Sequence, residues 1–156
     1  MPRSEKTDPV PVSLDADVLI AGLLSRTGAS HAILVLGEIG LLHLVLPEAA
    51  VEEVRRNLSA KLPEAVPLFE EFLRAVPVMI HRPTQRDRDR ARELADPKDV
   101  PILAAAIAAR ATHLITGDRR DFGAHYGKRL GGVLILPPRD YFHPPRRQRK
   151  RRSRVR

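Results

Sequence analysis

The sequence predicts an α/β fold, a three-layer sandwich in which a central, mainly parallel sheet of about five strands is flanked by helices. Short apolar, β-prone runs alternate along the chain with segments of helical periodicity, the pattern of a parallel sheet covered on both faces. At 156 residues and 43% hydrophobic the chain can bury one sizeable core but not two. The folded domain is placed at residues 10–143, between a flexible N-terminal segment at 1–9 and a basic, disordered tail at 144–156.

The elements follow in order. Val10 to Leu14 is a β-prone run that ends at Asp15. Helical segments are expected from Val18 to about Leu24 and from about Ala29 to Ile39, where Ile33, Leu34, Leu36 and Ile39 supply an apolar stripe and Gly40 the stop. Leu41 to Leu46 reads as a buried strand. Pro47 is placed to open a helix over Glu48 to Ser59, acidic in its first turn and carrying Arg55 and Arg56 later. A further helix is expected over about Glu64 to Ala75, with Val66, Phe69, Phe72 and Leu73 inward. Val76 to Ile80 is a less central strand, because Pro77 removes a backbone donor. Thr84 to Ala95 reads as a highly charged, solvated helix. Asp99 sits at the start of an alanine-rich helix, Ile102 to Arg110, whose small side chains suit close packing. Strands at Thr112 to Thr116 and Gly132 to Leu136 complete the sheet.

Charge and composition narrow the functional classes. The net charge is +8, but eight of the 27 basic residues fall in RRQRKRRSRVR at 146–156, leaving 19 basic against 19 acidic in the body. The basicity is a tail: an arm that attracts RNA phosphates, or a solubilising run. The absence of cysteine excludes thiol catalysis, disulfides and Cys-based zinc sites. The six histidines form no His-x-x-x-His pair, and there is no Gly-rich phosphate loop. Tyr126, Tyr141, Phe122 and Phe142 are read as core packing, not as a stacking platform. No run of 18 apolar residues occurs and MPRSEKTDP lacks a secretory stretch, so a cytoplasmic protein with no membrane association is expected.

The acids carry the chemical signal. Asp15 and Asp118 each follow a β run, at the carboxyl edge of the sheet where ligands of such folds collect. Asp99 heads the helix that leads into the Asp118 strand, and Glu53 reaches the same space from a helix after another strand. Singly, each has a plain alternative: Asp15 and Asp99 as helix caps, Asp118 as a turn residue after Gly117, Glu53 as a solvated charge. Jointly they point to a hard divalent cation, Mg²⁺ or Mn²⁺, since clustered carboxylates raise each other's pKa unless a cation compensates them. The implied reaction is phosphodiester hydrolysis, in which the ion's charge activates water and stabilises the transition state. Glu52 competes with Glu53, and Asp96 with Asp99, because one residue along a helix is a rotation of about 100°. Arg119 and Arg120, beside Asp118, are either phosphate contacts or solvated turn residues.

The runs SLDADVLIAGLL, PEAAVEEVRRNL and DPKDVPILAAAIAARATHLITGDRRDF resemble the PIN domain in order and spacing, over most of residues 10–142. The resemblance is strongest to the toxin components of bacterial toxin–antitoxin pairs. Its most specific part is an Asp heading an alanine-rich helix, then a strand ending Thr-Gly-Asp, then Asp-Phe. The resemblance implies a Mg²⁺- or Mn²⁺-dependent endoribonuclease, a cognate antitoxin and a homodimer. It assigns Asp15, Glu53, Asp99 and Asp118 as the catalytic acids and Asp15, Asp99, Asp118 and Asp121 as the metal set. It brings Thr116 near the metal or scissile phosphate; Arg119 and Arg120, beside that site, are the other candidate substrate contacts. The nineteen-residue step from Asp99 to Asp118 fits the family better than one from Asp96. Asp17 stands where many members have Asn, and the basic tail is outside the family pattern. Two other readings share these residues: a catalytically silent PIN fold that binds RNA or protein through the tail, and a nuclease of structured DNA ends.

Overall fold

A computed structural model describes residues 8–144. Residues 1–7 and the basic tail from 145 onward lie outside the described residues, and with them the expectations of a flexible start and a disordered end. Among the described residues six strands form one sheet: β1 (Val10–Leu14), β2 (Leu42–Pro47), β3 (Val78–His81), β4 (His113–Ile115), β5 (Arg129–Leu130) and β6 (Val133–Leu136). Their order is β3-β2-β1-β4-β6-β5, and every adjacent pair is parallel except β5 with β6. The flanking helices are α1 (Ala16–Leu24), α2 (Ala29–Glu38), α3 (Glu48–Lys61), α4 (Val66–Ala75), α5 (Gln85–Ala91), α6 (Val100–Ala108), α7 (Arg119–Phe122) and α8 (Pro138–Phe142). The α/β class and the mainly parallel sheet are therefore as the alternation of runs predicts, with one short strand more.

The central strands are mostly apolar and buried on both faces, as in a parallel sheet covered by helices. Val12, Ser13 and Leu14 of β1 are fully buried, as are Leu44 and Leu46 of β2. At the edge, β3 starts at Val78 and not at Val76, beyond Pro77, and leaves Met79 and Ile80 exposed. Helix α6 seats Leu103, Ala104, Ala105 and Ala106 at zero exposure, the close approach that its alanines allow. It ends where Arg110 turns to a φ of 55°.

Several boundaries differ from expectation for local reasons. Helix α1 begins two residues earlier, because Asp15 is its N-cap and accepts from the Ala16 amide. Pro47 closes β2 as the residue before α3, which runs on to Lys61. The α4 segment opens with a 3₁₀ turn at Pro63–Ala65. The charged helix is short: Thr84 and Asp87 form a capping box at its start, but regular helix stops at Ala91, and only turns follow through Asp96. Helices α7 and α8 and strand β5 occupy stretches with no expected element. No single helix among the described residues is long and apolar enough to cross a membrane.

Helix α2 lies tight on β2. A Cβ on Gly37 would meet Leu44 Cδ1 at 2.4 Å and Cγ at 2.5 Å, and Leu44 is fully buried. Gly37→Ala gains helix propensity of about 1 kcal/mol but overpacks the core at a cost of about 1–3 kcal/mol. Because the clash reaches Cγ and not only a side-chain tip, the upper half of that range applies. A lower denaturant midpoint at unchanged slope is expected; an unchanged or higher midpoint would mean that the α2–β2 interface yields.

The topology fixes where a site can form. From β1 the chain steps outward to β2 and β3, then crosses back to place β4 on the other side of β1. The crevice beyond the carboxyl ends of β1 and β4 is thus a switch point, where the connections diverge and leave space.

Candidate active site

Asp15 leaves the end of β1, with its amide donating to Ile115 O at 3.0 Å across to β4. Its carboxylate is held at both oxygens: Oδ1 accepts from the Ala16 amide at 2.8 Å and Oδ2 from the Thr116 hydroxyl at 2.9 Å. Thr116 Oγ1 in turn accepts from the Asp118 amide at 3.1 Å. Asp118 caps α7, with Oδ1 accepting from the amides of Arg120 and Asp121 at 3.1 and 3.2 Å. Cap and cluster are thus compatible readings of one residue: the bonds that start each helix also fix the carboxylates at the sheet edge.

Asp99 behaves differently. It occupies the N-cap position of α6, yet its side chain makes no capping bond, and the residue is buried. Its carboxylate is free of structural duty and meets Asp121.

These residues border one cleft of about 260 Å³, lined by Asp15, Asp17, Glu53, Lys98, Asp99, Ile102, Asp118 and Asp121. Every expected acid is there, brought from β1, α3, the start of α6 and the β4–α7 turn. The rotational ambiguities resolve: Glu53 borders the cleft and Glu52 does not, and Asp99 does so while Asp96 is exposed. Asp17, one residue into α1 on the same side, adds its charge.

The electrostatics follow from that crowding. Burial, then the charge of Asp17, pushes Asp15 up to about 7, against the lowering effect of the Thr116 hydrogen bond. Burial, then neighbouring Asp121, pushes Asp99 up to about 6. Asp17 is raised by burial, although the Gly117 amide beside it counteracts this. Asp121 is lowered, because the Lys98 ammonium pairs with it. A set of oxygen donors with one ammonium, in which two buried acids resist ionisation near neutral pH, suits a hard divalent cation that would compensate them. Among the described residues no three acids stand ready in ligand geometry: Asp15 is engaged at both oxygens and Lys98 stands on Asp121.

The three expected substrate contacts lie apart from the lining of the acid cleft. Thr116 is fully buried and its hydroxyl is committed to Asp15 and the Asp118 amide, so it positions those acids. Arg119 and Arg120 are exposed and neither borders the acid cleft; Arg119 borders a neighbouring groove. Lys98 was missed as a site residue. Its signal lay in its place directly before Asp99, but a lysine in a Pro-Lys-Asp turn reads as solvated until Asp121 is folded against it.

A family model described as "PIN domain" matches residues 11–120. None of the curated proteins matches the sequence. Among solved structures, the chain resembles that of VapBC2 from Rickettsia felis bound to a DNA fragment from their promoter. The TM-score is 0.59 at 13% identity, over 82% of this chain and 98% of that one. At that identity the likeness is one of fold.

Proposed function

This chain belongs to the PIN-domain family, most of it lying within the family match, and from that premise we propose that it is a divalent-metal-dependent endoribonuclease, the toxin of a toxin–antitoxin pair. The observation that carries the proposal is the convergence of Asp15, Glu53, Asp99, Asp118 and Asp121 on one cleft at the switch point of the sheet. The fold shared with VapBC2 supports the toxin reading. The proposal extends to a cognate antitoxin, a homodimer and a cytoplasmic location.

Asp15, Asp99 and Asp118 would hold Mg²⁺ or Mn²⁺, with Asp121 and Glu53 at the margin. When bound, such an ion supplies positive charge for activating water and for stabilising the phosphoryl transition state and leaving oxygen. The protein's part is preorganisation. Thr116 holds Asp15 at the end of β1, the α7 amides hold Asp118, and the buried wall of α6 presents Asp99 without a competing cap bond. Lys98 neutralises Asp121 and lowers the repulsion that an incoming phosphate meets.

The test is cleavage of an end-labelled structured RNA by the full chain with Mn²⁺ or Mg²⁺, with EDTA, and with a duplex DNA end as competing substrate. Cutting of RNA that needs the metal is expected. RNA bound but never cut, across several sequences, would instead favour a silent binding module; preferential cutting of the DNA end would transfer the chemistry to the other substrate.

A further inference from the structure

The surface changes sign across Gly117. On one side lies the acid cleft, with Asp17 so near that a Cβ on Gly117 would meet its Oδ2 at 2.3 Å. On the other side Gly117 borders a second groove of about 260 Å³, lined also by Arg119, Tyr126, Pro137, Pro138 and Arg139 and by no acid. Two depressions of the same size, one acidic and one basic, therefore meet along consecutive residues, Asp118 lining the first and Gly117 and Arg119 the second.

The groove is also tied to the catalytic framework. The Tyr126 hydroxyl donates to Thr116 O at 2.9 Å, on the residue whose side chain holds Asp15. The two prolines have locked φ angles, so the opposite wall is stiff. A polyanion whose scissile phosphodiester lies over the acids carries its next phosphate into surroundings that must be positive, or the approach is repulsive. Arg119 and Arg139 are the cations placed for this. Arg120, its neighbour in sequence, does not border the groove.

We propose that the groove between Arg119 and Arg139 is a subsite for the phosphodiester adjacent to the scissile one, with Tyr126 and the prolines against the attached nucleoside. The inference rests on the nuclease reading and deepens it by locating the strand on the side of Gly117 away from α3. Guanidinium groups suit this ligand because they donate in a planar fork to phosphate oxygens.

The test uses the full chain, so that the basic tail contributes equally to every protein compared. Binding of a 5′-fluorescein-labelled octaribonucleotide is followed by anisotropy at several salt concentrations, in an Asp118→Asn background with EDTA present so that the probe stays uncut. Arg139→Ala and Arg119→Ala are each expected to weaken binding about fivefold, and to reduce the salt slope by about 0.7, the value for one lost single-strand phosphate contact. Arg86→Ala, an exposed arginine on α5, removes the same charge elsewhere and is expected to change neither. Equal effects from all three, or none from Arg119 and Arg139 in variants that melt normally, would overturn the subsite. If the unsubstituted protein cuts no RNA while the arginine pattern holds, the nuclease reading fails and the phosphodiester groove stands.

Discussion

Asp118→Asn is expected to reduce metal-dependent RNA cleavage by roughly 10²–10³-fold, in the range seen when one preorganised charge-stabilising group is lost. The substitution isolates charge from structure. Asn retains an Oδ1 that can accept from the Arg120 and Asp121 amides, so α7 keeps its cap and the Thr116 network keeps its geometry. What disappears is one negative oxygen beside Asp15 and Asp99. The informative control is a pair on α3: Glu53→Gln lowers turnover because Glu53 borders the cleft, whereas Glu52→Gln, about 100° round the helix, stays within about twofold. Single-turnover rates at saturating Mn²⁺ measure all three. Full activity in a folded Asp118→Asn protein, or equal losses from Glu52 and Glu53, would mean that the chemistry resides elsewhere.

The second large effect is a gain in stability. Asp15 is raised to about 7 in the folded protein from an ordinary 3.8, chiefly by burial and then by Asp17. The folded state therefore holds a proton that the unfolded chain releases near pH 4. The stability linked to that proton is fully present below about pH 4 and is lost as pH rises through 7. Without metal at pH 8 the ionised, buried carboxylate is a burden of a few kcal/mol, about 4 kcal/mol at most. Asp15→Asn removes it. Asn can still accept from the Ala16 amide, and its NH₂ can donate to a reoriented Thr116 hydroxyl, so no hydrogen bond need be lost.

The expected result is a melting temperature for Asp15→Asn above that of the unsubstituted protein at pH 8, with the gap closing toward pH 4. His113, whose pKa burial and Arg129 lower, gives a pH dependence of opposite sign, but it is common to both proteins and cancels in their difference. Mn²⁺ is expected to stabilise the unsubstituted protein more than the variant, since binding to the folded form adds stability by mass action. A gap that does not vary with pH would show that Asp15 is not held protonated in the fold. The same carboxylate would thus weaken the fold and serve the reaction.

The sheet was legible because its central strands are buried on both faces, which favours mostly apolar runs at Val10–Leu14 and Leu42–Leu46. The acids of the cleft were legible for a related reason. In a parallel sheet the residues directly after the strands lie on one edge, so Asp15 and Asp118 are neighbours by topology although 103 positions apart. Less legible was the stretch from Arg119 to Phe142, where short turns of helix and a two-residue strand bury only a few side chains, Phe122 among them. The charged helix was overestimated because charge pairs at helical spacing favour a helix without deciding its end, and after Ala91 little of the segment is buried.

By itself, then, the sequence determined the α/β class, the order of the elements and the acids at the ends of β1 and β4, since periodicity and strand-end position are local properties that survive without coordinates. Only the tertiary structure decided which neighbour on a helix faces the cleft, Glu53 or Glu52, Asp99 or Asp96. It alone showed that Thr116 looks inward, that Lys98 stands on Asp121, and that Arg119 meets Arg139 across a separate groove. Those are questions of side-chain direction and of contacts between distant segments, and such contacts exist only once the packing of helices on the sheet has fixed each rotation.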